Sequence, residues 1–473
     1  MAIGPPDLNG DGVPGAGPIS EAPALRSQAV PPVIELEVGR PVPSTANCTL
    51  RWIDQPLDHF SHSASGRTYR QRFFFNADSW EVGRGPIFFY VGNEANVEKY
   101  VNATGLMWES ARPFGAMLVW AEHRFYGESV PAEAGEGRGH PYLTHELALA
   151  DYAVLIAKLR ADFDANASPV FVFGGSYGGK LAAWMRLKYP ASVAGAISSS
   201  APLLAFRGEE PEWDSGLLPS QPDRTRSSTA SHYSERCSAN LRASFPLITA
   251  AAATAGGRRS LADFFHLCHV PADADAASML KYWVRDAFDR LAMGNYPWPS
   301  DYIAGTPAKP MPAWPLGAAC QQLDFDAPLD VYNFVDSPLA ESNVDAVADD
   351  ASDTDDDFEH AAALLTAVRR AASAMPDSYW FSTDGVRDMF WHQPYNQSLV
   401  DEHCAAAWGL KAPPRGKWIS EEYGGRALIR GASNIVFTSG GFDGWASAGI
   451  ATNVTNAEIH SLLVPDGAPP PPA

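Results

Sequence analysis

The stretch "SPVFVFGGSYGGKLAAWMRLKYP", Ser168 to Pro190, constrains the fold more than any other part of the chain. It reads as an apolar strand, a glycine-crowded turn around Ser176, and a helix. Gly174-Gly175-Ser176-Tyr177-Gly178 fits G-x-S-x-G in the strand-to-helix setting that this motif requires. A Cβ at 174 or 178 would collide with the neighbouring strand or helix, and the turn itself holds its serine in a strained backbone. Such a turn exposes the Ser176 hydroxyl as a nucleophile. It also sets the Tyr177 N–H, at a helix N-terminus, to stabilise an oxyanion.

The flanking sequence extends the pattern. "PIFFYVG" (86–92) and "AMLVWAE" (116–122) read as buried parallel strands, continuous and apolar. The helix expected over 144–163 places Leu147, Ala150, Val154 and Ala157 on one face. A further strand follows at 193–202, and strand signals return at 434–441 and 457–467. Alternation of this kind implies a doubly wound parallel sheet covered on both faces. Between them, residues 205–415 carry helical stretches (277–297, 358–375) with Pro-rich connections. The expected organisation is a disordered leader over 1–45, a first α/β part over 46–204, a helical insertion over 205–415, and a final α/β part over 416–473.

Composition narrows the function. A formal charge of −20 argues against a nucleic-acid partner, and no apolar run is long enough to span a membrane. The five cysteines show no CxxC spacing, so no metal site or cofactor is expected from them. "DLNGDG" resembles the opening of a calcium loop, but the closing acid would fall at Pro18; the acidic run 349–360 reads as a solvated loop. Sequons beginning at Asn47, Asn102, Asn166, Asn396 and Asn453 point to a secreted or vesicular glycoprotein. The first residues show no signal peptide, which places the true start upstream if that reading holds.

A triad on such a sheet runs Ser, acid, His along the chain. "NIVFTSGGFDGW" offers Asp443 just beyond a late strand, with turn-capping before Gly444 as the plainer alternative. Together with "GGSYGGKLAAWMRLKYP", the segments "LDHF" (57–60), "FFYVGNEANVEKY" (88–100), "MLVWAEHRFYGESVP" (117–131) and "YLTHELALADYAVLI" (142–156) resemble the S28 serine peptidases. "HLC" (266–268), "LAMGNYPWPSDYI" (291–303) and "PAWPLGAAC" (312–320) resemble that family's helical insertion. The resemblance covers most of 48–468. It implies an α/β-hydrolase domain with a large helical cap, and exopeptidase cleavage of peptide substrates after proline or a small residue, from either end. It makes Ser176 the nucleophile, Asp443 the triad acid, Tyr177 and Asn93 the oxyanion donors, and Glu94 and Trp445 substrate-binding; Lys180, four residues after Ser176, is expected from that spacing to approach the substrate pocket and bind substrate as well. Cys237 and Cys320 look like a family disulfide, leaving Cys48, Cys268 and Cys404 without assigned partners. It fits a secreted, lysosomal or vacuolar location and is compatible with a homodimer.

Two departures touch the site: the family usually has Met where Lys180 stands and Gly-Asp where Ala95-Asn96 stands. A third concerns the base. The family's catalytic His follows an acidic residue, Gly and Ala in a His-His-Leu-Asp-Leu context. Here Asp466-Gly467-Ala468 is followed by Pro469 and Pro470. The expectation is that the base is not encoded in these 473 residues, and that the chain as given is an inactive exopeptidase. His460, inside the last expected strand, is the nearest substitute; His123 and His59 read as structural. The competing readings are a non-catalytic relative acting as a binding glycoprotein, and an esterase on the same fold.

Overall fold

The computed structural model describes residues 43–464 apart from 62–65, 133–140, 207–234, 324–382, 410–414 and 451–457, and the positions 266, 307, 322, 384, 387–388 and 395. Residues 1–42 of the expected leader, the acidic run, the helix at 358–375 and the Pro469-Pro470 tail lie outside the described residues; the leader's last residues enter a short helical turn, Thr45–Asn47, capped by Ser44. The described residues from Pro43 onward form a single unit.

That unit is built on an eight-stranded sheet in the order β1-β2-β4-β3-β5-β6-β9-β10. The strands are β1 (Thr49–Pro56), β2 (Thr68–Asn76), β3 (Ile87–Tyr90), β4 (Met117–Ala121), β5 (Val170–Gly175), β6 (Gly195–Ser199), β9 (Ile435–Gly440) and β10 (Ile459–Val464). β1 and β2 pair antiparallel, as do β2 and β4, and every other neighbour is parallel. This is an α/β-hydrolase fold. The β1–β2 hairpin was not expected from sequence, because β2 buries Gln71 and Arg72, polar residues that break an apolar pattern.

Alternate side chains of the central strands enter two separate cores, as the period of two demands. Phe73, Phe75, Ile87, Phe89, Met117, Val119, Val170 and Val172 face one side, against helices α3 (His145–Asp162) and α4 (Tyr177–Lys188). Phe74, Phe88, Tyr90, Leu118, Trp120 and Phe173 face the other, under α1 (Val97–Ala103) and α2 (Gly105–Phe114). Strands covered on both faces are continuous apolar runs, which explains why they were legible.

The expected face of α3 needs correction. Leu147 and Ala150 are buried, but Val154 and Ala157 are exposed, and the helix instead buries Asp151, Tyr152, Leu155, Ile156 and Leu159. Asp151 is drawn inward by Arg124 (2.7 and 2.8 Å), Tyr69 (2.6 Å) and His59 (2.7 Å). A buried carboxylate with that many donors fixes the helix rotation, whatever the apolar count.

A third core lies among helices α5 (Glu235–Ala252), α6 (Ala255–Phe264), α7 (Ala274–Met293) and α8 (Pro315–Gln321), with Met389 and Phe390. A two-stranded ribbon, β7 (Ser300–Thr306) with β8 (Lys309–Met311), follows α7. A disulfide joins Cys237 on α5 to Cys320 on α8. Cys48, Cys268 and Cys404 are unpaired. No helix among the described residues is long and apolar enough to cross a membrane.

Candidate active site

Ser176 ends β5 and begins α4 with φ 54° and ψ −121°, a conformation a side-chain-bearing residue adopts only under constraint. The constraint is visible. Ser176 N–H donates to Ser199 O (2.9 Å) across to β6, while Ser176 O already accepts the first helical bond from Lys180 N–H (3.1 Å). A Cβ on Gly174 would stand 2.1 Å from Gly178 O, and one on Gly178 would press on the Asn93 amide at 3.0 Å. Strand and helix therefore meet closer than any alanine permits, and the turn between them is forced. The Ser176 side chain is left partly accessible at the C-terminal edge of the sheet.

Asn93, three residues past β3, is buried, and its Nδ2 donates to Gly175 O (3.0 Å). That bond commits the side-chain amide to the turn. Among the described residues, neither the Asn93 nor the Tyr177 backbone N–H is hydrogen-bonded.

Asp443 follows β9, one strand beyond β6. The register Gly175↔Ser199↔Thr438 carries the serine turn and the acid to the same edge of the sheet. Its carboxylate is fully buried; Oδ1 accepts from Trp445 N–H (2.9 Å), and Oδ2 has no partner. Burial pushes its pKa up to about 6, against the favourable pull of Ser200 and the Trp445 and Gly440 backbone. Ser200 Oγ is near enough to favour the ionised form, yet forms no hydrogen bond of acceptable geometry. Thus Asp443 does cap the turn before Gly444, with one oxygen, and keeps the other bare. Trp445 reaches the site through that backbone N–H.

The histidines fall elsewhere. His123 is buried, with Nδ1–H donating to Arg124 O (2.8 Å) and Nε2 accepting from the Tyr177 hydroxyl (3.1 Å). Burial lowers its pKa to about 4, so it stays neutral and fully engaged. His59 is bound to Asp151, and His460 is exposed on β10, opposite Val436. Among the described residues, no imidazole is hydrogen-bonded to Ser176 or Asp443.

Charged groups and aromatic rings surround the serine. Glu94 keeps solvent contact although protein crowds it from the sides; desolvation raises its pKa, partly offset by Lys180 and Lys99. Lys180 sits one turn along α4, its Nζ 4.9 Å from the Phe206 ring centroid and 5.9 Å from that of Tyr177. Burial brings its pKa down to about 8. The helical segment adds Tyr302, whose ring lies 4.3 Å from Lys99 Nζ, and Trp314, edge-on to Phe442 at 5.5 Å. Burial raises the Tyr296 phenol pKa, and the nearby Asp443 carboxylate adds to it. These aromatics were missed as site residues, although "GNYPWPSDYI" and "PAWPL" contain them.

The description "Serine carboxypeptidase S28" matches residues 55–327. The chain belongs to the S28 family. The lysosomal Pro-X carboxypeptidase of Bos taurus is 33% identical over 468 residues, spanning 96% of this chain and 88% of that protein. The human lysosomal Pro-X carboxypeptidase is 32% identical over 437 residues (89% and 82%). A human thymus-specific serine protease is 39% identical over 155 residues, a third of this chain. As an S28 chain it is a serine-type exopeptidase by family, and peptides are its substrate class.

Proposed function

We propose that this S28 chain cleaves peptides after proline or a small residue, with Ser176 as nucleophile. The carrying observation is the strained Ser176 backbone, held by a strand and helix too close for any Cβ at 174. On this reading the Ser176 hydroxyl attacks the scissile carbonyl, and the Tyr177 and Asn93 N–H groups receive the oxyanion. An imidazole removes the serine proton and passes it to the leaving amine; water then releases the acyl group by the reverse path. Asp443 Oδ2 is the acceptor for that imidazole's N–H, which gives a reason for a buried oxygen with no partner. Residues 205–415 act as a cap that brings Tyr296, Tyr302 and Trp314 over the strand ends. The names of the lysosomal relatives and the exposed sequon residues Asn47, Asn102, Asn166 and Asn396 favour a glycoprotein of an acidic compartment.

A fluorophosphonate probe tests the nucleophile, since it labels only an activated serine. The expected result is labelling of Ser176, abolished in Ser176→Ala, by a chain extended with a His-His-Leu-Asp-Leu tail. The 473-residue chain should react slower by a factor on the order of 10⁴–10⁶, the usual cost of an absent triad His. Equal rates would assign the base to one of the chain's own histidines. No labelling of either form would favour the non-catalytic, peptide-binding relative.

A further inference from the structure

Lys180 is the one charge beside Ser176 that the S28 resemblance does not account for. Lys180 N–H donates to Ser176 O (3.1 Å), which sets the lysine one helical turn beyond the serine. Its ammonium rests against two aromatic rings, Phe206 at 4.9 Å and Tyr177 at 5.9 Å. No carboxylate among the described residues lies within 4 Å of it. Glu94 is the charge that faces it, too distant for an ion pair and still open to solvent. Glu94 is also shared with a second cation, Lys99, which Asp301 attracts as well. A half-buried ammonium without a touching anion is costly to hold. A cation of this kind next to a reacting group is offset when an anion arrives with the ligand.

We propose that Lys180 is the receptor for a carboxylate of the substrate in the pocket beside Ser176. This rests on Ser176 being the nucleophile, because that reading puts the substrate in this pocket. The carboxylate has two sources in a peptide: the free C-terminus of a short leaving group, or the side chain of an acidic residue near the cut. Either meets the same chemistry, an ammonium on an aromatic floor, where a charge-assisted hydrogen bond forms without displacing an internal partner. A neutral residue at this position would accept only apolar groups. The plain alternative is that the lysine merely extends toward solvent along the rings.

The test measures equilibrium binding to the full chain carrying Ser176→Ala, so that no turnover intervenes. N-acetyl-Ala-Pro-Phe is compared as free acid and as amide, and N-acetyl-Ala-Glu-Phe amide against N-acetyl-Ala-Gln-Phe amide. One carboxylate-bearing ligand should bind on the order of 10–100-fold tighter than its neutral partner, the worth of a hydrogen bond to a charged group. Which pair shows the gain identifies the source. The gain should vanish in Lys180→Met, persist in Lys180→Arg, and grow in Glu94→Gln, which removes the competing negative charge. Equal binding of acid and neutral ligands, or a gain that survives Lys180→Met, overturns the proposal. Thermal melts of each variant guard against misfolding, and Lys180→Arg keeps the test decisive if the Met variant fails to fold. Fluorophosphonate labelling of the Ser176-bearing chain extended with the His-His-Leu-Asp-Leu tail is read separately. A carboxylate gain without labelling upholds Lys180 while sinking the nucleophile, and labelling without a gain does the reverse.

Discussion

Asp443 gives one oxygen to the Trp445 N–H and holds the other dry and unpaired. Its folded pKa of about 6 lies above the unfolded value of 3.8. Below pH 3.8 both states are protonated, so the side chain costs the fold nothing. As pH rises to about 6, the unfolded chain ionises first, and stability is lost across that window, by about 3 kcal/mol at most. Asp443→Asn removes the charge and keeps a carbonyl for Trp445. It should therefore raise the urea midpoint at pH 7.5, by the equivalent of about 1–3 kcal/mol, and leave it nearly unchanged at pH 4. A variant equally destabilised at both values would mean the carboxylate is paired in solution. At this scale much was legible: G-x-S-x-G announces its geometry because glycine collisions are local. The unpaired state of Asp443 Oδ2 was not, since it depends on which residues the fold brings to it from elsewhere in the chain, Ser200 among them.

The loops that carry the site are tied together by one buried carboxylate that sequence reading left without a role. Glu122, just after β4, accepts from Arg72 Nε and Nη2 (2.9 Å each), Val97 N (3.1 Å), Glu128 N (2.9 Å), and both N and Oγ of Ser129 (2.9 and 2.7 Å). Arg72 in turn reaches Asn96, Glu98 and Glu128. The segment containing Asn93 and Glu94 and the loop after β4 are thus held by the same pair. Gly127 must be glycine for this reason: a Cβ there would fall within 1.8 Å of Glu122 Oε1. Glu122→Gln turns one acceptor into a donor facing N–H groups and leaves Arg72 underpaired. A loss of about 3–5 kcal/mol is expected in chemical unfolding, the usual cost of breaking a buried pair. A loss below about 1 kcal/mol would show that Glu98 and Glu128 suffice for Arg72. "AEHRFYGES" signalled the family but not this role, because Val97 and Arg72 sit 25 and 50 residues earlier. The same blindness misplaced the face of α3, where Asp151 answers to Arg124 and Tyr69 rather than to its neighbours.

Among the described residues there are three cores, and the helical one has a covalent clasp. Cys237 and Cys320 are separated by 83 residues. Closing a loop of that length restricts the unfolded chain by about 4–5 kcal/mol in the chain-entropy account. The double variant Cys237→Ser/Cys320→Ser should lower thermal stability of the helical segment and speed its proteolysis, while β3–β5 amides keep their slow hydrogen exchange. Simultaneous loss of protection in both regions would show one cooperative unit. The α/β alternation was readable from sequence because parallel strands are continuous apolar runs. The arrangement of the helices was not, since amphipathic helices of similar length pack in several ways.

The order of the sheet also bears on synthesis at the ribosome. β6 pairs with β9, yet its last residue, Ser199, leaves the ribosome 236 residues before Ile435 begins β9. At a translation rate of about 5–20 residues per second, that edge waits roughly 10–50 seconds for its neighbour. Throughout, the nascent chain presents a bare parallel edge beside the Ser176 turn. Such an edge is a template for pairing with another chain. Helices α5 to α8 are translated in that interval, before the strand that closes the edge.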